Sequence, residues 1–75
     1  MSVLPRVEQE KLVVSFERDY GRLVMNCRND KLLFAQKVSQ LAEQISKSAN
    51  PNYFEDDIVE YFNMFSAQLQ KQTKH

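Results

Sequence analysis

The stretch Ser48-Ala49-Asn50-Pro51-Asn52 is the clearest break in the chain, and the fold is worked out from it in both directions. Pro51 disfavours helical geometry at the residue before it, so a helix must end close to residue 48. Asn52 is a favourable N-cap for a following helix, and a glutamate three residues later completes a pattern similar to a capping box. This break therefore predicts one helix before residue 48 and another beginning at residue 53.

Apolar residues recur at steps of three and four on both sides of this break, which is the spacing of one helical face. The spacing predicts a third helix over 53–70 and a second helix over 31–48, the latter capped by Asp30. The predicted buried face of the third helix comprises Phe54, Ile58, Tyr61, Phe65 and Leu69, widened by Val59, Phe62 and Met64. That of the second comprises Phe34, Val38, Leu41 and Ile45.

The same spacing continues towards the N-terminus and predicts a first helix over 5–28. Its apolar face comprises Val13, Phe16, Tyr20, Leu23 and Cys27. An alternative is one long helix over 5–48, because an apolar residue recurs every seven positions across the junction. The companion positions of that repeat fall on Asp30 and Lys37, however, so a break near residues 28–30 is favoured. Gly21 interrupts the first helix at a cost of about 1 kcal/mol relative to Ala. It is either a tolerated defect or a point of close helix crossing.

These segments predict an all-α fold, a small three-helix antiparallel bundle that dimerisation could complete. The chain has 75 residues with one glycine and two prolines, fewer turn residues than a sheet protein of this length needs. We expect a single helical domain over 1–75. Residues 71–75 lack apolar side chains and are predicted to fray.

Composition argues against several classes of protein. Cys27 is the only cysteine, so no disulfide within the chain is expected, and with the single His75 it cannot supply the four soft ligands of a structural zinc site. The formal net charge is zero, which makes nucleic-acid binding unlikely. No apolar run is long enough to span a membrane. The lone thiol and the absence of a signal-peptide pattern predict an intracellular protein, cytoplasmic or nuclear.

The sequence offers little evidence for catalytic residues. Cys27 could act as a nucleophile only beside a base, and the one histidine is the terminal residue. The acidic residues 55–57 with Glu60 could bind a cation or a basic partner. Acidic side chains in the first turn of a helix are, however, common because they favour its positive dipole end. The sequence therefore predicts no enzyme, no catalytic or metal site and no cofactor.

The most informative feature is a surplus of apolar residues, since a chain this short has little interior in which to bury them. Consecutive triplets such as 12–14 and 23–25 spread around most of the first helix, and five of the eight aromatic residues lie in the third. The surplus predicts a non-enzymatic protein-protein interaction module, a regulatory, adaptor or assembly subunit acting as a homodimer or on a protein partner. The predicted partner-binding residues are Leu12, Val14, Val24, Phe62 and Met64.

A small nucleic-acid-binding or transcriptional regulator is the alternative function. Residues 31–70 would then form a segment similar to a helix-turn-helix, joined through 50–52. Charge argues against this alternative. The recognition helix would begin with the acidic residues 55–57, which would face the negatively charged phosphates.

Overall fold

Three helices and no strand make up residues 3–73, the part of the chain described by a computed structural model. Helix α1 spans Arg6–Asn26, α2 spans Lys31–Ser48 and α3 spans Asp56–Gln72. The start of α1 is joined by ion pairs to the start of α3, and Tyr20 is hydrogen-bonded to Gln72 near the end of α3. Thus α1 and α3 run parallel, and α2 runs antiparallel to both. The predicted all-α three-helix bundle is confirmed.

The break between α1 and α2 lies where Asp30 predicts it. The Asp30 side chain accepts a hydrogen bond from the Leu33 amide at 3.0 Å and so caps α2. The Cys27 amide donates to the Leu23 carbonyl at 2.9 Å and closes the last turn of α1. The alternative of a single helix over 5–48 is therefore wrong, and α1 ends two residues earlier than predicted.

The link between α2 and α3 differs from the prediction because Asn50, and not Asn52, organises it. The Asn50 side-chain oxygen accepts from the Asn52 amide at 2.9 Å, while its carbonyl accepts from the amides of Tyr53 and Phe54, both at 3.0 Å. The prediction that Asn52 caps a helix from residue 53 is wrong, because this turn already uses those amides. Helix α3 begins three residues later, preceded by Glu55 in an extended conformation.

The end of α3 also differs from the predicted bounds. The helix continues to Gln72, two residues past the expected end at residue 70. Residues 74 and 75 of the predicted frayed tail lie outside the described residues.

Phe62 lies at the centre of the core. Its ring meets Phe16 of α1 at 5.5 Å and Phe54 at 5.2 Å between centroids, both edge-on. Edge-on pairs contribute beyond their buried area because the positive edge of one ring meets the negative face of the other. The remaining members of this buried cluster come from α2 and α3: Val38, Leu41, Ala42, Ile45, Ile58 and Leu69.

Helices α2 and α3 form the tighter pair. Ala42 is fully buried against α3, and the buried Ser66 hydroxyl donates to the Ala42 carbonyl at 2.8 Å. Small side chains at this crossing allow the two backbones to approach. Within residues 3–73, α1 contributes one buried side chain, Phe16, to the core cluster, and its other apolar side chains pack against the cluster while partly exposed: Leu12, Val13, Tyr20 and Leu23.

The first turn of α1 is held against the start of α3 by the buried Gln9. Its side-chain nitrogen donates to the Leu4 carbonyl at 2.7 Å, and its oxygen accepts from the Glu55 amide at 3.0 Å. On the surface beside it, Arg6 forms ion pairs with Glu55 at 2.7 Å and with Asp57 at 2.8 Å. The pKa of Asp57 lies below its usual range, mainly because its carboxylate accepts hydrogen bonds from Arg6.

The folded chain is more elongated and flatter than a compact domain with the same number of residues. Its Cα dimensions are 44 × 21 × 14 Å and its radius of gyration is 13.2 Å, against about 11 Å for a compact chain of this size. Of the three helix pairs, α1 and α3 are the least closely packed. An open groove between α1 and α3 follows from this spacing.

Candidate protein-interaction groove

The groove between α1 and α3 has a volume of about 410 Å³ and is open to solvent along the helices. It is lined by Glu17, Tyr20, Tyr61, Met64, Phe65 and Gln68. We call this set the α1–α3 groove. Residues of α1 and α3 spaced three and four apart form its two walls, so the helical repeat itself aligns them.

Aromatic rings form the floor of the groove. Tyr20 meets Phe65 edge-on at 6.2 Å between centroids, and Tyr61 lies 5.8 Å from the same phenylalanine ring. All three rings are half-buried, with one edge against the core and the other towards solvent. Met64, which is 57% exposed, adds a flexible apolar side chain to the α3 wall.

The hydroxyl groups of the groove are already paired. Tyr61 donates to the Glu17 carboxylate, and Tyr20 donates to the Gln72 side-chain oxygen at 2.9 Å. Burial, and then the hydrogen bond and charge of Glu17, raise the pKa of Tyr61 to about 12. Tyr61 therefore stays protonated at neutral pH and remains a hydrogen-bond donor to Glu17.

One of the five predicted partner-binding residues lines this groove, namely Met64. Val24 is exposed but lies one helical turn beyond Tyr20, which already pairs with the last residue of α3, so it lies past the end of the groove. Val14 is exposed on the outer face of α1, opposite the core. Leu12 is half-buried and packs against the core cluster, so it offers little surface.

The prediction that Phe62 contacts a partner requires correction, because Phe62 is 0% exposed. Helix α3 packs against both α1 and α2, and the centre of its buried band is Phe62. The sequence interpretation correctly placed Phe54, Ile58 and Leu69 on the buried face, but it placed Tyr61 and Phe65 at the centre of that face and Phe62 on its flank. Tyr61 and Phe65, assigned by that interpretation to the interior, instead form the floor of the groove. The hydroxyl of Tyr61 was the available signal, since tyrosine favours a boundary that is apolar at one end and wet at the other.

A second group of exposed apolar side chains lies at the other end of α1, around its link to α2. It comprises Val24, Met25, Leu32 and Leu33. Leu32 is 81% exposed. These side chains extend from the last turn of one helix and the first turn of the next.

Cys27 is buried, and the predicted potential base, His75, lies outside residues 3–73. That part of the chain holds no group of three or more His, Cys, Asp or Glu side chains placed to bind a metal ion. None of its helices combines the length and apolarity needed to cross a membrane.

Comparison with known proteins gives no relationship. No protein-family model matches the chain, and neither a curated protein nor a solved structure matches it.

Proposed function

We propose that this chain is a non-enzymatic protein-interaction module, a regulatory, adaptor or assembly subunit that binds an α-helix of a partner in the α1–α3 groove. The observation that carries the proposal is the set of exposed apolar edges of Tyr20, Tyr61, Met64 and Phe65 in one open groove. Methionine and aromatic side chains are enriched at the centres of protein interfaces.

The shape of the groove suits a helix. Its walls are two parallel helices, and an added helix lying between them would extend the three-helix arrangement to four. An amphipathic helix presents apolar side chains at positions i, i+3, i+4 and i+7, which is how helices bind in apolar grooves generally. Because each tyrosine hydroxyl already has a partner within the chain, covering the rings would leave neither hydroxyl without a hydrogen bond.

The alternative of a nucleic-acid-binding regulator receives no support from the surface charge. Asp56 and Asp57 lie in the first turn of α3, the helix that would enter a groove of DNA. Both carboxylates would face phosphate at close range and repel it. We propose a protein partner, and the buried free thiol of Cys27 suits a reducing compartment inside the cell.

Two exposed methionines provide a matched test of the proposal. Met64 lines the groove, whereas Met25 is 75% exposed near the α1–α2 link. The chain and its Met64→Gln and Met25→Gln variants would be used to capture partners from cells that produce the protein. Circular dichroism would check that each variant keeps its helical content.

The proposal predicts a partner that the chain and Met25→Gln retain in equal amount and that Met64→Gln loses. A partner lost with Met25→Gln and kept with Met64→Gln would move the interaction surface to the α1–α2 end and contradict the groove. The mass of the captured complex distinguishes a second copy of this chain from another protein.

A further inference from the structure

Glu17 is the charged residue of α1 that lines the α1–α3 groove. Successive residues turn by about 100° around a helix, so Glu10 lies on the same side of α1. Arg6 also faces α3, but it is already paired with Glu10 and with two carboxylates at the start of α3. The other charged residues of α1 lie away from the groove and include both signs: Glu8, Lys11, Arg18, Asp19 and Arg22.

The carboxylate of Glu17 has capacity for a further partner. It accepts a hydrogen bond from the neutral hydroxyl of Tyr61, and it forms no ion pair with a lysine or arginine of residues 3–73. Among the side chains that line the groove it is the one that carries a charge. A carboxylate at the edge of an apolar groove favours a cation that approaches with an apolar surface.

A second carboxylate lies outside the groove, beyond its α3 wall. Glu60 is exposed one helical turn before Met64 and is not part of the lining. Lys71 follows Gln68 by one turn, at the end of the groove. One carboxylate, that of Glu17, therefore lines the groove, a second lies outside Met64, and an ammonium group lies at the end.

From this distribution we infer that the groove binds a basic amphipathic helix, one whose apolar stripe is flanked by lysine or arginine. This inference rests on the proposed function and names the chemistry of its partner. The apolar stripe packs against Tyr20, Phe65 and Met64, and a flanking cation pairs with Glu17.

The test uses two synthetic peptides of about 18 residues, five helical turns, that share one leucine stripe at helical spacing. One carries lysine on both flanks of the stripe and the other carries glutamate. Each is titrated into the full chain, and amide chemical shifts measured by NMR give both the affinity and the location of binding. We expect the lysine peptide to bind about tenfold more tightly than the glutamate peptide at low salt, with the largest shifts at residues 61, 64 and 68.

Two matched variants assign that preference to the groove. Glu17→Gln removes the charge but keeps an oxygen that can accept from Tyr61, and it should weaken lysine-peptide binding about three- to fivefold. Arg18→Gln, on the far side of α1, should leave that affinity unchanged or raise it slightly.

The outcomes separate this inference from the proposed function. If both peptides bind in the groove equally, or the glutamate peptide binds more tightly, the partner is not basic and the inference fails while the groove proposal stands. If neither peptide shifts residues 61, 64 and 68, the groove does not bind helices and both proposals fail. If Arg18→Gln strengthens lysine-peptide binding by as large a factor as Glu17→Gln weakens it, the preference is one of net charge and the assignment to Glu17 is overturned.

Discussion

Alanine substitution at Phe62 and at Met64 should give opposite results, although the two residues are two positions apart on α3. The Phe62 ring is fully buried among Phe16 and Phe54, whereas the Met64 side chain is more than half exposed in the groove. Because both positions are helical and alanine is a good helix former, the comparison isolates burial from helix propensity.

The magnitude follows from the burial. Removing a fully buried phenylalanine ring costs about 3–5 kcal/mol, the sum of lost transfer free energy and the cavity that remains. A domain of this size has a free energy of unfolding of about 4–11 kcal/mol. Phe62→Ala should therefore remove about a quarter or more of the stability, whereas Met64→Ala should change it by no more than about 0.5 kcal/mol.

Urea unfolding followed by circular dichroism measures both values from the transition midpoints, provided the slope of free energy against urea stays constant. If Phe62→Ala does not fold, Phe62→Leu gives a smaller cavity and a measurable loss of about 1.5 kcal/mol. A cost below about 1 kcal/mol for Phe62→Ala, or an equal cost at Met64, would refute the packing described for α3.

Three further predictions test other parts of the fold. Gly21→Ala should raise the free energy of unfolding by about 1 kcal/mol and the thermal midpoint by about 6 °C, because the added carbon meets no atom within 4 Å other than the adjacent backbone of its own helix. Thermal unfolding measures this change, and a lower midpoint would mean that α1 packs differently. Gln9→Ala should cost about 2 kcal/mol in urea unfolding, because a backbone carbonyl and an amide both lose their partner; a cost near zero would show that water replaces it. Asp57 has a lowered pKa in the folded chain, so its contribution to stability is complete above the unfolded pKa of about 3.9 and is lost as pH falls through the folded value. Between pH 7 and pH 2, the thermal midpoint should fall less steeply for Asp57→Asn than for the unchanged chain. Parallel curves would show that this ion pair does not cause the loss of stability in acid.

The helices and their number could be predicted from the sequence because the signals are local. Apolar spacing set the three amphipathic segments, and Asp30 marked the start of α2 by capping chemistry that depends on residues three positions apart. The start of α3 could not be predicted in the same way. Asn50 and Asn52 are equally suitable to turn the chain, and the choice between them depends on which amides reach the Asn50 oxygens in the folded link.

The candidate site was predicted in part. The apolar surplus indicated exposed apolar surface on the first and third helices, and Met64 does line the groove. The apolar band of α3 is too broad for the sequence to define its buried centre. The position of α1 against α3 decides whether Phe62 or Tyr61 is buried. The burial of Gln9 had no sequence signal at all, because its partner amide in Glu55 lies 46 residues away.

The most direct test of the proposed groove is site-specific photo-crosslinking in cells that produce the protein. A photoreactive amino acid would replace Met64 in one variant and Met25 in another, both exposed positions on folded helices. The proposed function predicts a defined adduct from position 64, with the crosslink located on the apolar face of a partner helix, and none from position 25. No defined adduct from position 64, or the same adduct in equal yield from both positions, would contradict a function based on the α1–α3 groove.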